Sequence, residues 1–423
     1  MANPSYNHYF FSHAATAICV ESTFSAYISS NLVMNNNLFT NSISLKTLLQ
    51  QRQNLPMLSS ADMAVSKTEY TVTSPSKIIT KYEKSEILKT VDDYISFNQK
   101  LELEYPEENK TDVQGCLAEF KKFIDTYHEH RLSQAYKDLE NFEKKYQSTI
   151  AVANQSEKEF LSKFYEANKL LMNDCIKEYS YMKKVLEMIE DGDGWMTESV
   201  GKSLTTKYKK IPNTAFISLK LEAVLDIPLL NVLTLIYEIE LWREWVPFLS
   251  QSECLKNVHR ASKAVYMRMG LPPPLSDRDA FLAGIGVDLM EENGAVVVLS
   301  RSFDTDTETI ERYGIDITKT QRNVKIEMNL AGFRIRPLGP SSCELIGLAN
   351  IDPKINFLPA RLINWFMRKA CTLLFERMLK KAQVLEGTPW EKAMKEPEKA
   401  AFYEWLNEKV EGFLKKTSSD TSK

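Results

Sequence analysis

The chain is poor in the residues that most enzymes depend on. It has five histidines, and only His259 lies beyond residue 130, so no His/Asp/Ser or His/Cys set is evident. No H-E-x-x-H, P-loop or G-x-G-x-x-G pattern occurs, and scattered carboxylates cannot be paired from sequence. The six cysteines, Cys19, Cys116, Cys175, Cys254, Cys343 and Cys371, include no C-x-x-C pair. This spacing signals neither a disulfide framework nor a zinc site and leaves reduced thiols as the expectation. Apolar runs stop short of the ~18 residues that a membrane span needs. The stretch from Ala14 to Leu38 carries Glu21 and lacks the basic start and small-residue cleavage site of a signal peptide. A net charge of −3 argues against a broad basic footprint for nucleic acid. These absences lead to the expectation of no catalytic residue, no metal, no cofactor and no nucleic-acid partner: a non-enzymatic protein of the cytoplasm.

With 43% hydrophobic and 26% charged residues, the composition is that of a globular protein with room for two or three domains. Residues 1–65 are rich in Asn and Ser and read as a disordered leader, in which Phe10, Phe11 and Phe24 leave room for a short binding motif. Residues 66–156 shift to charged helix formers and read as an α-helical module. Ala135, Leu139, Phe142 and Tyr146 fall at helical spacing, as do Phe160, Phe164, Leu171, Cys175, Met182, Val185 and Ile189 in a helix from about Glu157. The charges are balanced, so the polar faces are either solvated surfaces of a packed bundle or a protein-binding interface. Asp191-Gly192-Asp193-Gly194 then supplies a helix stop.

Beyond it the period changes to two. Ile217, Leu219, Leu221, Ala223 and Leu225 alternate with Ser218, Lys220 and Glu222, and Val324, Ile326, Met328 and Leu330 with Lys325, Glu327 and Asn329: strands with one apolar and one wet face. His259 reads as exposed. A long helix follows from Ala360, where Leu362, Ile363, Phe366, Met367, Ala370, Leu373, Leu374 and Met378 form an apolar stripe that is either core or pocket wall. Arg377 falls within that stripe and marks a polar mouth or needs an acidic partner. Arg361, Arg368, Lys369, Arg377, Lys380 and Lys381 make the helix basic, for solvent or for an anionic membrane surface. Leu271-Pro272-Pro273-Pro274-Leu275 must be a loop, since consecutive prolines donate no ladder hydrogen bonds. Residues 387–423 read as a helical tail whose Phe402, Trp405, Leu406 and Val410 share one side, packing back on the domain or meeting a membrane or partner.

Four fragments in order give this stretch a family likeness. They are Trp195 with Tyr208-Lys209-Lys210-Ile211-Pro212 and the strand from Leu219; Trp242-Arg243-Glu244-Trp245-Val246-Pro247; Ser276-Asp277-Arg278-Asp279; and Asp352-Pro353-Lys354-Ile355-Asn356-Phe357-Leu358-Pro359. Residues 157–386 thereby resemble the StAR-related lipid-transfer (START) domain. The resemblance implies an α+β helix-grip fold, a curved antiparallel sheet around a long C-terminal helix that encloses an apolar cavity. It implies a lipid ligand (sterol, phospholipid or similar), with Tyr266, Arg268, Arg278, Phe281, Leu330, Leu362, Ile363, Phe366, Met367, Ala370 and Leu373 as candidate lining. The loop from Leu271 to Leu275 takes the place of the family's gating loop. Where many members carry a second arginine six residues after Arg278 this chain has Gly284, so a pocket ion pair of that kind is not expected. The resulting expectation is lipid binding and transfer at a transient, possibly anionic, membrane surface. The alternative is an adaptor whose N-terminal helices bind a protein partner and whose START-like domain senses lipid.

Overall fold

The structure, a computed structural model, describes residues 112–211, 217–271, 275–317, 323–355 and 358–421. The expected leader with Phe10, Phe11 and Phe24, and the prolines Pro272, Pro273 and Pro274, lie outside the described residues.

Three helices come first: α1 (Val113–His128), α2 (Leu132–Val152) and α3 (Gln155–Glu190). The Asp112 carboxylate opens α1 by accepting from the Gly115 N–H. A capping box opens α3: Asn154 accepts from the Glu157 N–H while Glu157 accepts from the Asn154 N–H, satisfying donors that a helix start leaves open. Its 36 residues make α3 about 54 Å long, and it stops at Asp191, ahead of Gly194 at φ +72°.

The strands then follow: β1 (Met196–Val200), β2 (Leu204–Lys210), β3 (Ile217–Leu225), β4 (Leu249–His259), β5 (Ser262–Met269), β6 (Arg278–Leu289), β7 (Ala295–Ser302), β8 (Val324–Lys325), β9 (Glu327–Gly339) and β10 (Ser342–Asp352). α4 (Leu229–Tyr237) and a 3-10 helix (Ile239–Glu244) separate β3 from β4, α5 (Met290–Asn293) turns β6 into β7, and α6 (Thr307–Tyr313) follows β7. After the sheet come α7 (Ala360–Ala382), α8 (Pro389–Met394) and α9 (Pro397–Thr421). The strand order is β1-β2-β3-β10-β9-β7-β6-β5-β4, antiparallel throughout, with β8 pairing parallel to β6. This is the α+β arrangement expected from the strand and helix periods.

Alternation along the strands sorts side chains between two covered faces. On one, Ile285, Val287, Val297, Leu299 and Leu348 pack with α1, α2 and α3. On the other, Leu221, Ala223, Leu225, Ile335 and Leu345 pack with α4, the C-terminal half of α7, Trp390 of α8 and Leu406 of α9. The sequence pattern implied that the first face is wet, and the structure corrects this. Ser218 and Lys220 are 2% and 5% exposed, and the Lys220 ammonium donates to the Ile189 carbonyl at the end of α3 while lying 5.3 Å from the Trp195 ring centre. A polar residue on a strand reports its side of the sheet, and a frayed helix end can satisfy it there as well as water. The tail packs back: Phe402, Trp405, Val410 and Phe413 join the second core, and Lys399 and Tyr403 both donate to the buried Glu238 at 2.6 Å.

His259 is not exposed either. Its ring lies 5.4 Å from that of His128 and 6.5 Å from that of His130, where α1 and α2 meet the β4–β6 edge. The His130 Nε2 accepts from the Ala261 N–H at 3.2 Å, so it is held unprotonated. Burial, then the neighbouring His259, Arg260 and His128, push its pKa down to about 3, and burial lowers that of His259. Nearby, burial pushes Glu178 up to about 7, although it accepts from the Tyr127 hydroxyl.

Two predictions arise here. A histidine whose folded pKa is depressed contributes stability that is intact above its unfolded value near 6.5 and is lost as pH falls from there toward about 3. The slope is at most about 1.4 kcal/mol per pH unit, opposed between pH 7 and 4.5 by Glu178, which favours its protonated form. His130→Asn, suited to the positive φ at this position, should flatten the acid side of a urea-unfolding profile, whatever its absolute stability. Separately, a Cβ on Gly332 would stand 2.9 Å from both Val185 Cγ1 and the Val298 carbonyl oxygen, so Gly332→Ala should destabilise by about 1–3 kcal/mol in the same measurement.

Candidate functional site

The second face of the sheet is closed by α7, a helix of 23 residues and about 35 Å. Its N-terminal half reaches both margins of the sheet. On one side the Phe366 ring lies 5.9 Å from that of Phe248, which precedes β4. On the other, Arg368 pairs with Glu198 of β1 at 2.8 Å and lies 4.7 Å from the Tyr208 ring centre, with Lys369 3.3 Å from the same carboxylate. The C-terminal half is packed solid: Phe375, Met378 and Ala382 are fully buried.

Those buried residues, with Ile363, set the inward face about 150° around the helix from Leu362, Phe366 and Leu373. Arg377 is accordingly exposed and needs no buried partner. Cys371, which no sequence motif singled out, faces in with Met367. Burial pushes its thiol up to about 12, yet the side chain keeps accessible surface.

On the sheet beneath, exposure alternates along two central strands. Along β6, Ala283, Ile285 and Val287 are buried, whereas Gly284 and Gly286 between them are accessible. Along β7, Val297 and Leu299 are 0% exposed, whereas Val298 and Ser300 are accessible. The accessible set is the one on the lid side. Register aligns Gly284, Ser300, Ala331 and Ala349 into one row across β6, β7, β9 and β10, so four small residues lie side by side under the helix. Met267 of β5, Met328 of β9 and Ile351 of β10, all partly accessible, extend this apolar floor.

Of the lid candidates named from sequence, Ile363 is buried, and Leu362, Phe366, Met367, Ala370 and Leu373 are each half-buried. Three candidates point elsewhere. Tyr266 and Phe281 pair across β5 and β6, and pack with Phe303 on the face away from the lid. Period-two alternation shows that they share a face and cannot show which face the helix covers; their neighbours Val265, Met267 and Leu282 are the lid-side residues. Leu330 packs with the α1–α3 core. Register explains it: Met328 faces Ile351 and Leu330 faces Asn350, so a bulge at Asn329 puts Met328 and Leu330 on opposite sides despite their spacing.

Arg268 and Arg278 are both engaged at the sheet end where α7 begins. Asp279, 0% exposed, accepts from Arg268, Asn323 and Lys325. Arg278 donates to the Pro353 carbonyl at 3.0 Å, to the Ser276 carbonyl at 2.7 Å and hydroxyl at 2.8 Å, and to the Lys354 carbonyl at 3.3 Å. One guanidinium thereby ties the segment after the proline-rich loop to the segment that leads into the lid. Leu275 of that loop is buried and Leu271 half-buried. Arg278→Met should cost about 2–4 kcal/mol in urea unfolding by stranding buried carbonyls, and Arg278→Lys should recover little of it, because an ammonium lacks the fork of donors.

No curated protein matches the chain. Among solved structures, human STARD10 aligns at 16% identity over 51% of this chain and 87% of that one, with a TM-score of 0.41. Human StAR-related lipid transfer protein 5 aligns at 14% identity over 48% and 93%, with a TM-score of 0.41, and the human StarD13 (DLC2) lipid transfer and protein localization domain at 16% over 48% and 96%, with 0.38. The family profile described as START domain matches residues 176–387, half of the chain. These residues run from α3 through the whole sheet to the end of the lid, and the chain belongs to the START domain family, whose general property is lipid binding.

Proposed function

We propose that this protein is a non-enzymatic carrier that binds one hydrophobic lipid between its sheet and α7 and moves it between membranes. The observation that supports this best is the contrast in the middle of β6 and β7: Gly284, Gly286, Val298 and Ser300 on the lid side keep accessible surface while Ala283, Ile285, Val287, Val297 and Leu299 on the other face are buried. Apolar surface held ready under a helix gains about 25 cal/mol per Å² when a lipid tail covers it. In this reading the mouth lies where α7 begins, and opening parts the Phe248–Phe366 and Glu198–Arg368 contacts and the segments joined by Arg278. Arg361, Arg377 and Lys380 face solvent along α7 and suit a transient approach to an anionic bilayer, at about 1 kcal/mol per basic residue near the surface. The helices before residue 157 act in this proposal as a second layer that stiffens the sheet from behind.

Gly284 supplies the test. A Cβ there would meet nothing nearer than the Lys263 carbonyl oxygen at 3.8 Å, so a side chain fits and projects into the proposed space. Gly284→Leu should leave urea stability within about 1 kcal/mol while cutting uptake of labelled lipid from vesicles by more than about tenfold. Unchanged uptake by the folded variant would place the lipid elsewhere.

A further inference from the structure

We propose that the space under α7 selects an uncharged lipid bearing a hydroxyl group, and that Ser300 recognises that hydroxyl. The inference rests on the carrier function above and narrows its ligand to a chemical class.

Charge on the lid side of the sheet is already engaged. Arg278 is occupied by loop carbonyls and Glu198 by Arg368 and Lys369. Asp288 accepts from the Met290 N–H and pairs with Lys409 at 3.2 Å. Lys263, on β5 beside Gly284, donates to the Tyr237 carbonyl at 3.0 Å and stands 3.4 Å from the centre of that residue's ring. Each of these groups already has its partner, Lys263 included, although it adjoins the row of Gly284.

Between them, on the four central strands, one row carries Gly284, Ser300, Ala331 and Ala349, and the next carries Gly286, Val298, Phe333 and Gly347. Among the described residues these rows hold no charged side chain. A phosphate or ammonium drawn into the middle of the floor would give up its water and meet no counter-charge, which is the costly case for a buried ion. A hydroxyl needs only one partner, and these central rows offer one. The Thr206 and Ser199 hydroxyls bond each other at 2.7 Å. Ser302 donates to the Ile326 carbonyl and accepts from the Met328 N–H. Ser300 keeps accessible surface, and its hydroxyl bonds no described residue. Its position is held from behind, because the Tyr181 hydroxyl of α3 donates to the Ser300 carbonyl at 2.6 Å and accepts from the Ala331 N–H at 3.0 Å. A fixed hydroxyl among glycine and alanine positions reads a small neutral polar group and leaves the remaining surface for hydrocarbon.

The test uses the full chain and vesicles doped in turn with labelled cholesterol, cholest-5-ene (the same ring system without its hydroxyl), diacylglycerol, phosphatidylcholine and phosphatidylserine. Wild-type protein is expected to take up cholesterol or diacylglycerol in preference to both phospholipids. Ser300→Ala should weaken binding of the hydroxyl lipid about five- to tenfold and leave cholest-5-ene unchanged, a pattern that a structural role for the serine would not produce. Preference for either phospholipid overturns the proposed class while leaving the carrier function standing. Equal loss for both sterols, or for neither, overturns the role of Ser300. Failure to take up any of the five lipids by folded protein removes both the carrier function and this inference.

Discussion

One helix cannot fill the hollow of a sheet this wide. Strands lie about 4.8 Å apart, so the path from β1 to β4 spans about 40 Å, whereas a helix with its side chains is about 10–12 Å across. The other face escapes the problem because three helices share it and bring Phe120, Phe142, Phe164 and Val185 into one close-packed layer. On the lid side α4, α8 and α9 fill one end, against Phe375, Met378 and Ala382, and toward the other Ile239 and Trp242 of the 3-10 helix pack on Val265, Leu282 and Ile326. Glycine and alanine in the central rows keep that part of the sheet surface low, which suits the lipid space proposed above.

The lid has two ends with different work. Its C-terminal half belongs to a core that includes Trp390 and Leu406, and moving it would expose large apolar area at the usual hydrophobic cost. Its N-terminal half is held by one aromatic contact, a partly exposed ion pair and a loop tied through Arg278. Partly exposed ion pairs are screened by salt and worth little individually. In the carrier function proposed above, the hinge lies toward the C-terminal half and the free end opens at the margin where Arg368 pairs with Glu198.

Charge inside the molecule is handled by pairing, and the pairing holds the layers together. Glu238 joins α9 to the end of α4 through Lys399 and Tyr403, Lys220 joins β3 to the end of α3, and the Asp279 cluster joins β5, β6 and β8. Replacing one partner in such a set strands the other, so these residues bind distant parts of the chain to one arrangement. In the proposed pocket the Tyr181 hydroxyl plays the same part, fixing the backbone of Ser300 and Ala331 from behind.

Much of this was legible in the order of periods along the chain. Helical spacing from Glu157 to Ile189, alternation from Ile217, the Asp191–Gly194 stop and the stripe from Leu362 to Met378 each report local geometry, which a few neighbouring residues determine through backbone preference and side-chain direction. Alternation alone could not say which face of β5 and β6 would meet α7, so Tyr266 and Phe281 went to the wrong side. A one-residue bulge at Asn329 was invisible for the same reason, because it exists only in the pairing of β9 with β10. The inward turn of Cys371, the burial of Lys220 under α3, the clasp of Arg278 and the alignment of Gly284 with Ser300, Ala331 and Ala349 all join residues far apart in the chain. Sequence determined the elements and the family. Only tertiary packing decided which faces they show one another, because that choice depends on how much area each layer can cover.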